Sequence, residues 1–205
     1  MKWVVATWNR DKFKEIEAIF RDLPVNLLSM RDFPDLGSVE ETGTTLEQNA
    51  LLKARAVHAA TGLPAIADDT GLAVDALDGA PGVYTARFAG PNASYGDNVA
   101  KLMALLKGLP PAQRTARFST CAAFVDAHGE LTAEGTVPGA ITTRSRGTAG
   151  FGYDPVFQPD GETRTFAQMP LAQKQARSHR AIAFEALCRQ LDHTFSTNLL
   201  EETKA

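Results

Sequence analysis

The stretch from Thr115 to Ile141 most restricts what this chain can fold into. Ala116, Phe118, Thr120, Ala122 and Phe124 recur at every second position, the repeat of an extended strand with one face turned to a core. Asp126-Ala127-His128-Gly129 then supplies a turn, and Glu130 to Ile141 is the antiparallel hairpin partner. The chain before this hairpin is patterned differently. Trp3 to Thr7 is a short apolar run, and from Asn9, a candidate N-cap, Phe13, Ile16, Phe20 and Leu23 return at helical spacing. Thr44 and Glu47 form a capping box for a second helix, through Ala50, Ala54 and Val57 to Gly62-Leu63-Pro64. Ala65-Ile66-Ala67 reads as a short strand ending in Asp68-Asp69-Thr70-Gly71, and a further helix runs from about Ser94 to Lys107. Gly147 to Gly152 leads through Tyr153-Asp154-Pro155 toward another strand. The last helix follows Ser178 and buries Ala183, Phe184, Leu187, Cys188 and Leu191. Alternating helices and strands followed by a long hairpin predict an α/β fold, a mixed twisted sheet with flanking helices in two lobes around a central cleft. Residues 1–195 are expected to form one domain and 196–205 a flexible tail.

Composition removes several function classes. The chain has 205 residues, 44% of them hydrophobic, which supplies a core and argues against disorder. Its formal net charge of −3 does not suit a broad nucleic-acid surface. Cys121 and Cys188 are far apart with no C-x-x-C pair, so neither a zinc knuckle nor a redox dithiol is expected. No apolar run approaches the ~20 residues that cross a bilayer, and the N-terminal apolar stretch is too short for a secretory signal. A cytoplasmic protein with no membrane and no nucleic-acid partner is expected.

The common phosphate motifs are absent: no G-x-x-x-x-G-K-[ST] and no G-x-G-x-x-G occurs. Four clusters are candidates instead. In Thr7-Trp8-Asn9-Arg10-Asp11-Lys12 a strand gives way to a helix, where backbone N–H groups and a first-turn lysine could cradle phosphate. Equally, Asn9 could only cap and Lys12 only be solvated. Glu40, Glu41, Asp68 and Asp69 supply the carboxylates that a hard cation such as Mg²⁺ takes. Consecutive strand residues face opposite sides, so only one of Asp68 and Asp69 should meet a ligand directly. Asn49 and Lys53 share a helix face. Phe151-Gly152-Tyr153-Asp154 offers a close backbone approach, aromatic faces for a planar base and an acceptor for ring N–H groups. Lys174, His179 and Arg180 add potential cations around the start of the last helix.

Together, Thr7 to Lys12, Glu40 to Thr45, Ala67-Asp68-Asp69-Thr70-Gly71-Leu72, Gly79 to Gly82, Phe151 to Pro155 and Ser178-His179-Arg180 resemble the motifs of the inosine triphosphate pyrophosphatase family, in the same order and over nearly the whole chain to about Leu191. The resemblance implies a homodimeric, Mg²⁺-dependent enzyme that hydrolyses ITP, dITP, XTP and dXTP to the monophosphate and pyrophosphate. It carries phosphate binding onto Thr7, Trp8, Asn9, Arg10, Asp11 and Lys12, metal binding onto Glu40 or Glu41, and a metal-linked general base onto Asp69 with Asp68 in support. Lys53 falls near the phosphates and Thr70 at a substrate-contacting position. Phe151, Gly152, Tyr153, Asp154, Lys174, His179 and Arg180 take the substrate positions chiefly around the base. Trp8 and Asp11 depart from the family's usual small or polar residue and glycine, and Gln168 from a frequent Glu. Selectivity is expected from donors facing the purine 6-oxo group, Arg180 first among them; the competing view is that Arg180 pairs with a carboxylate. A pyrophosphatase of other modified nucleotides and a non-catalytic nucleotide sensor are the rival readings.

Overall fold

The computed structural model describes the backbone of residues 1–202 and the side chains of residues 1–191. The expected tail over 196–205 lies outside the residues with described side chains. Seven strands are present among the described residues: β1 (Lys2–Val5), β2 (Asn26–Ser29), β3 (Ala65–Val74), β4 (Pro81–Gly82), β5 (Thr115–Val125), β6 (Glu130–Ile141) and β7 (Phe157–Pro159). The helices are α1 (Arg10–Ile19), α2 (Leu46–Thr61), α3 (Tyr95–Leu105), α4 (Leu171–Gln175) and α5 (His179–Glu202). The sheet order is β2-β1-β3-β5-β6-β7, with β4 beside β3. β1 runs parallel to β2 and β3, while β4 on β3 and β7 on β6 are antiparallel, so the sheet is mixed and the class is α/β.

The chain divides into two compact units. The first contains Met1–Asp69, Cys121–Gly135 and the segment from Arg180 onward; the second contains Thr70–Thr120 and Thr136–His179. In the first unit the parallel strands bury both faces. Trp3, Val5 and Ile66 pack with Ile16 and Phe20 of α1 and Phe184, Leu187 and Leu191 of α5, whereas Val4, Ala6, Ala65 and Ala67 pack with Ala50, Ala54 and Val57 of α2. In the second unit Leu72, Val74, Leu102, Leu106, Phe118, Phe157 and Phe166 form the core, with the Phe118 and Phe157 rings 4.7 Å apart.

Two local expectations change. The strand expected to stop at Ala67 runs on to Val74, so Asp68 and Asp69 lie in mid-strand rather than at its exit. Apolar burial resumes at Leu72 and Val74, and both carboxylates meet cations, so the strand tolerates them. The α2 cap is also shifted by one residue. Thr45, not Thr44, is the N-cap and accepts from Gln48 N, while the Gln48 side chain accepts from Thr44 N at 2.7 Å. Glu47 accepts instead from the Thr132 hydroxyl.

Candidate active site

The first unit gathers charge on both faces of β3. Ile66 and Asp68 share the face covered by α1 and α5, and Ala67 and Asp69 share the face covered by α2 or lie beside it, as strand alternation requires. Asp68 Oδ2 accepts from Arg180 Nε at 3.2 Å and Arg180 Nη2 at 3.1 Å, and it pairs with Lys12 Nζ at 3.0 Å. Arg180 Nη1 donates to Glu15 Oε2. Around Asp69, Lys53 Nζ donates to Oδ1 at 3.1 Å and also to Glu41 Oε1 at 2.8 Å. Asn49 Nδ2 donates to Asp69 Oδ2 at 3.2 Å.

The approach of Asn49 depends on Gly43. Gly43 N donates to Asn49 Oδ1 at 2.8 Å, which turns the amide nitrogen toward Asp69. A Cβ at Gly43 would lie 2.6 Å from that same oxygen, so a side chain there would displace it.

Glu15, Glu41, Asp68 and Asp69 face Lys12, Lys53 and Arg180, four potential anions against three cations. Burial alone would raise the Asp68 pKa, but Lys12, Arg180 and Lys53 outweigh it and hold the carboxyl well below the usual carboxylate range. Asp69 goes the other way: burial, with Glu41 adding to it, raises its pKa against the pull of Lys53 and Lys12. Lys53 resists the lowering effect of burial because Asp69, Asp68 and Glu41 raise its pKa. Burial dominates at Lys12 and lowers its pKa despite Asp68.

These contacts sort the sequence candidates. Glu41 joins the cluster, whereas Glu40 is exposed and takes no part in these pairs. Lys12 is paired rather than solvated. The phosphate cradle expected at the start of α1 is modified: Asn9 Oδ1 already accepts from Asp11 N and Lys12 N, and Thr7 Oγ1 accepts from Asn9 N. Trp8 is 40% exposed, and Arg10 is exposed beside it. Arg180 is 1% exposed and lies among carboxylates, which is the alternative its position left open.

The second unit holds the base-loop candidates. Asp154 Oδ2 accepts from Phe151 N at 2.9 Å and from Lys174 Nζ. Lys174 Nζ lies 5.0 Å from the centre of the Phe151 ring and 5.6 Å from that of Phe166, within reach of cation–π attraction. Gly150 has φ +71°, and a Cβ there would sit 2.0 Å from Asp154 Oδ2, so this turn requires glycine. Gly152 is likewise left-handed, at φ +61°.

Tyr153 corrects its expected role. It is 3% exposed, its ring belongs to the core, and its hydroxyl donates to Thr85 O at 3.1 Å, so its ring has no face for a base; the half-buried Phe151 ring lies 5.7 Å from that of Tyr95. Thr70 Oγ1 bonds Thr120 Oγ1 at 2.7 Å, and Thr120 Oγ1 bonds His179 Nδ1 at 2.7 Å.

Glu15 and Thr120 were not among the sequence candidates, yet each left a trace. Glu15 follows Lys12 by three residues and precedes Ile16, on the buried side of α1. Thr120 is the one hydroxyl in the alternating stripe Ala116, Phe118, Ala122 and Phe124.

Among the described residues no group of three or more Asp, Glu, His and Cys side chains is gathered into a metal cage. The oxygen donors that Lys53 draws together, Glu41 and Asp69, nevertheless suit a cation that takes few carboxylates and completes its shell with water and phosphate.

A mixed α/β fold carrying a buried carboxylate–lysine cluster and a separate aromatic loop defines a class, and comparison identifies it. Residues 3–190 match the Ham1 family, and the chain belongs to that family. It is 50% identical over 185 residues to a dITP/XTP pyrophosphatase of Geobacter sulfurreducens, covering 90% of this chain and 93% of the relative. It is 45% identical to a dITP/XTP pyrophosphatase of Shigella flexneri, covering 91% and 95%. The Ham1 protein structure from Staphylococcus aureus superimposes with a TM-score of 0.82 at 37% identity, covering 95% of this chain and all of that one. These matches bear out the resemblance read from the motifs.

Proposed function

We propose that this chain is a nucleoside triphosphate pyrophosphatase that hydrolyses ITP, dITP, XTP and dXTP to the monophosphate and pyrophosphate. Family membership and the names of its relatives support the substrate class. The observation that carries the chemistry is Lys53 holding Glu41 and Asp69 together, with Asp69 raised in pKa.

In this reading Asp69 accepts a proton from the attacking water, whose oxygen forms a bond to the α-phosphorus. The bond from that phosphorus to the bridging oxygen breaks, and pyrophosphate leaves with the electron pair. A pKa raised by burial makes Asp69 a stronger base than an ordinary Asp, while Asn49 and Lys53 orient its two oxygens. Lys53 and Lys12 stabilise charge on the phosphates. Asp68, kept ionised, holds Lys12 and Arg180 in place.

Glu41 and Asp69 would hold Mg²⁺, which when bound neutralises phosphate charge and polarises the phosphoryl group. In the second unit the Phe151 ring provides a face for the purine, with Lys174 and Asp154 beside it.

The reading extends to a cytoplasmic homodimer. No helix among the described residues is long and apolar enough to cross a membrane. The dimer rests on the family resemblance and is tested by analytical ultracentrifugation.

The deciding assay measures pyrophosphate release from ITP, XTP, GTP, ATP and dUTP at matched concentration, with Mg²⁺ and with a chelator. Fast release from ITP and XTP that the chelator abolishes is the expected result. Preference for dUTP would reassign the substrate, and binding without release would make the protein a sensor.

A further inference from the structure

Three arginines of the second unit, Arg114, Arg144 and Arg146, pair with no carboxylate among the described residues, although Lys174, Arg117, Arg164 and Arg177 of the same unit all do. Arg144 and Arg146 line one cavity of about 360 Å³, within the ~300–1,000 Å³ of small-molecule pockets. Thr142, Thr143 and Gln158 complete its polar wall, the remaining lining is apolar, and no Asp or Glu lines it. None of these residues belongs to the carboxylate–lysine cluster or to the loop proposed to hold the base.

Arg146 is fixed in place by its neighbours. Its backbone N donates to Pro155 O at 2.8 Å, and its backbone O accepts from Thr165 Oγ1 at 2.7 Å. Nη2 donates to Gln158 Oε1, and Gln158 is held in turn by donating from Nε2 to Glu162 O at 2.7 Å. Nη1 donates to Thr163 O at 3.3 Å, while Nε, closed off from the surface, has no acceptor among the described residues. The guanidinium thus meets two neutral oxygens and no anion, and both Nη atoms keep a second N–H. Arg144 is exposed, and its guanidinium has no partner among the described residues; the Thr142 hydroxyl, donating to Arg144 O at 2.8 Å, ties down its backbone. Arg114, 4% exposed, adds charge through the wall residue Thr142. It donates to Thr142 O at 3.0 Å, Leu109 O at 3.1 Å and Leu106 O at 2.7 Å, so a full positive charge meets only carbonyl oxygens. Asp160, two positions after Gln158, is exposed, does not line the cavity and pairs with none of the three.

A wall with several cations and no anion calls for a ligand that carries more than one negative charge. A single carboxylate would balance one guanidinium, whereas phosphate and pyrophosphate balance more, and their oxygens fit the forked N–H groups of arginine. We propose that this cavity is a binding site for a small phosphate oxyanion, inorganic phosphate or pyrophosphate, held by Arg144 and Arg146 with Thr143 beside them. The site goes beyond the pyrophosphatase reading and does not depend on it.

The test titrates the full chain with sodium pyrophosphate and, separately, with sodium phosphate, in the presence of a chelator and at constant ionic strength, while ¹H–¹⁵N NMR follows the backbone amides. The chelator keeps Mg²⁺-dependent binding at Glu41 and Asp69 out of the readout. Shifts at residues 142–146 should saturate with a Kd of about 1 mM or below for at least one of the two anions, and which of them binds more tightly names the ligand. Arg144→Gln, at an exposed position, should weaken that Kd about fivefold or more while the circular dichroism spectrum and ITP turnover stay as in wild type. Shifts at the Lys12 and Lys53 amides report anion binding in the first unit and are scored separately. Absence of a saturable shift at 142–146 overturns the proposal. So does an Arg144→Gln Kd equal to that of wild type, or an equal response to sodium acetate, which would show a cationic surface without a site. Failure of wild type to hydrolyse ITP sinks the pyrophosphatase reading and leaves this titration untouched, so the two failures are distinguishable.

Discussion

The two units use polar groups in opposite ways. In the first, ionised side chains from distant parts of the chain neutralise one another: Arg180 reaches Asp68 across 112 positions and Glu15 across 165. In the second, the loop proposed to hold the base is largely closed by near neighbours, with Asp154 accepting from Phe151 N three residues earlier and Gly150 leaving room for the carboxylate. Charge chemistry on phosphates needs several buried ions whose partners exist only after folding. Presenting a ring to a planar base needs a local turn and one aromatic face. Loss of any ion from the first arrangement takes a buried partner from another, as loss of Lys174 would from Asp154 in the second, whereas loss of the Phe151 ring takes a partner from no buried anion.

The largest effect expected from breaking this contrast is in Arg180→Ala. Removing the guanidinium takes a buried partner from Glu15 and leaves Asp68 with Lys12 in place of two cations, and loss of one partner from a buried ion pair costs about 3–5 kcal/mol. Urea unfolding should show that loss, with the ITP to ATP turnover ratio unchanged. A narrowed ratio at unchanged stability would give Arg180 to the base instead. Next is Asp69→Asn, which keeps the shape but removes the charge and basicity. Turnover should fall by roughly 10²-fold or more while circular dichroism stays native. Normal turnover would take both the base and the metal role from Asp69.

A smaller effect sharpens the comparison from the other unit. Phe151→Ala should raise KM for ITP about tenfold and leave kcat nearly intact, because one base–aromatic stack is worth ~1–3 kcal/mol. A collapse of kcat would show that the base loop serves the chemistry as well as binding.

The smallest effect is in the pH dependence of stability, where the adjacent aspartates have opposite signs. Asp68 is lowered below 3.8, so its contribution is present above that pH and is lost as the pH falls through the folded value. Asp69 is raised above 3.8, so its contribution is present below that pH and is lost as the pH rises through the folded value. Wild-type stability relative to Asp69→Asn should therefore decline as the pH climbs from 3.8. A difference that grew instead would mean that Asp69 is stabilised as an anion, as Asp68 is.

Periodicity and the cap of α1 were legible in the residues themselves. Asn9 caps α1 as its type and place suggest, β5 and β6 keep the expected bounds, and Asn49 and Lys53 meet one carboxylate because four residues on a helix bring side chains to one face. The length of β3 was not legible. Asp-Asp-Thr-Gly has the composition of a turn, and the strand neighbours and the cations that meet both carboxylates come together only in the fold. Tyr153 misled for a similar reason, since an aromatic beside two glycines looks the same whether its ring faces a ligand or a core.

By itself the sequence determined the alternation of elements, the two faces of each strand and the kinds of chemical group available, because these follow from spacing and side-chain type over a few residues. Only the tertiary structure decided which groups meet: Glu41 rather than Glu40 on Lys53, Arg180 on Asp68 and Glu15, and Thr120 between Thr70 and His179. The physical reason is that ion pairing and pKa depend on distance and burial. Asp68 and Asp69 are chemically identical neighbours in the sequence, and they acquire opposite shifts from the cations and the desolvation that each meets in the fold.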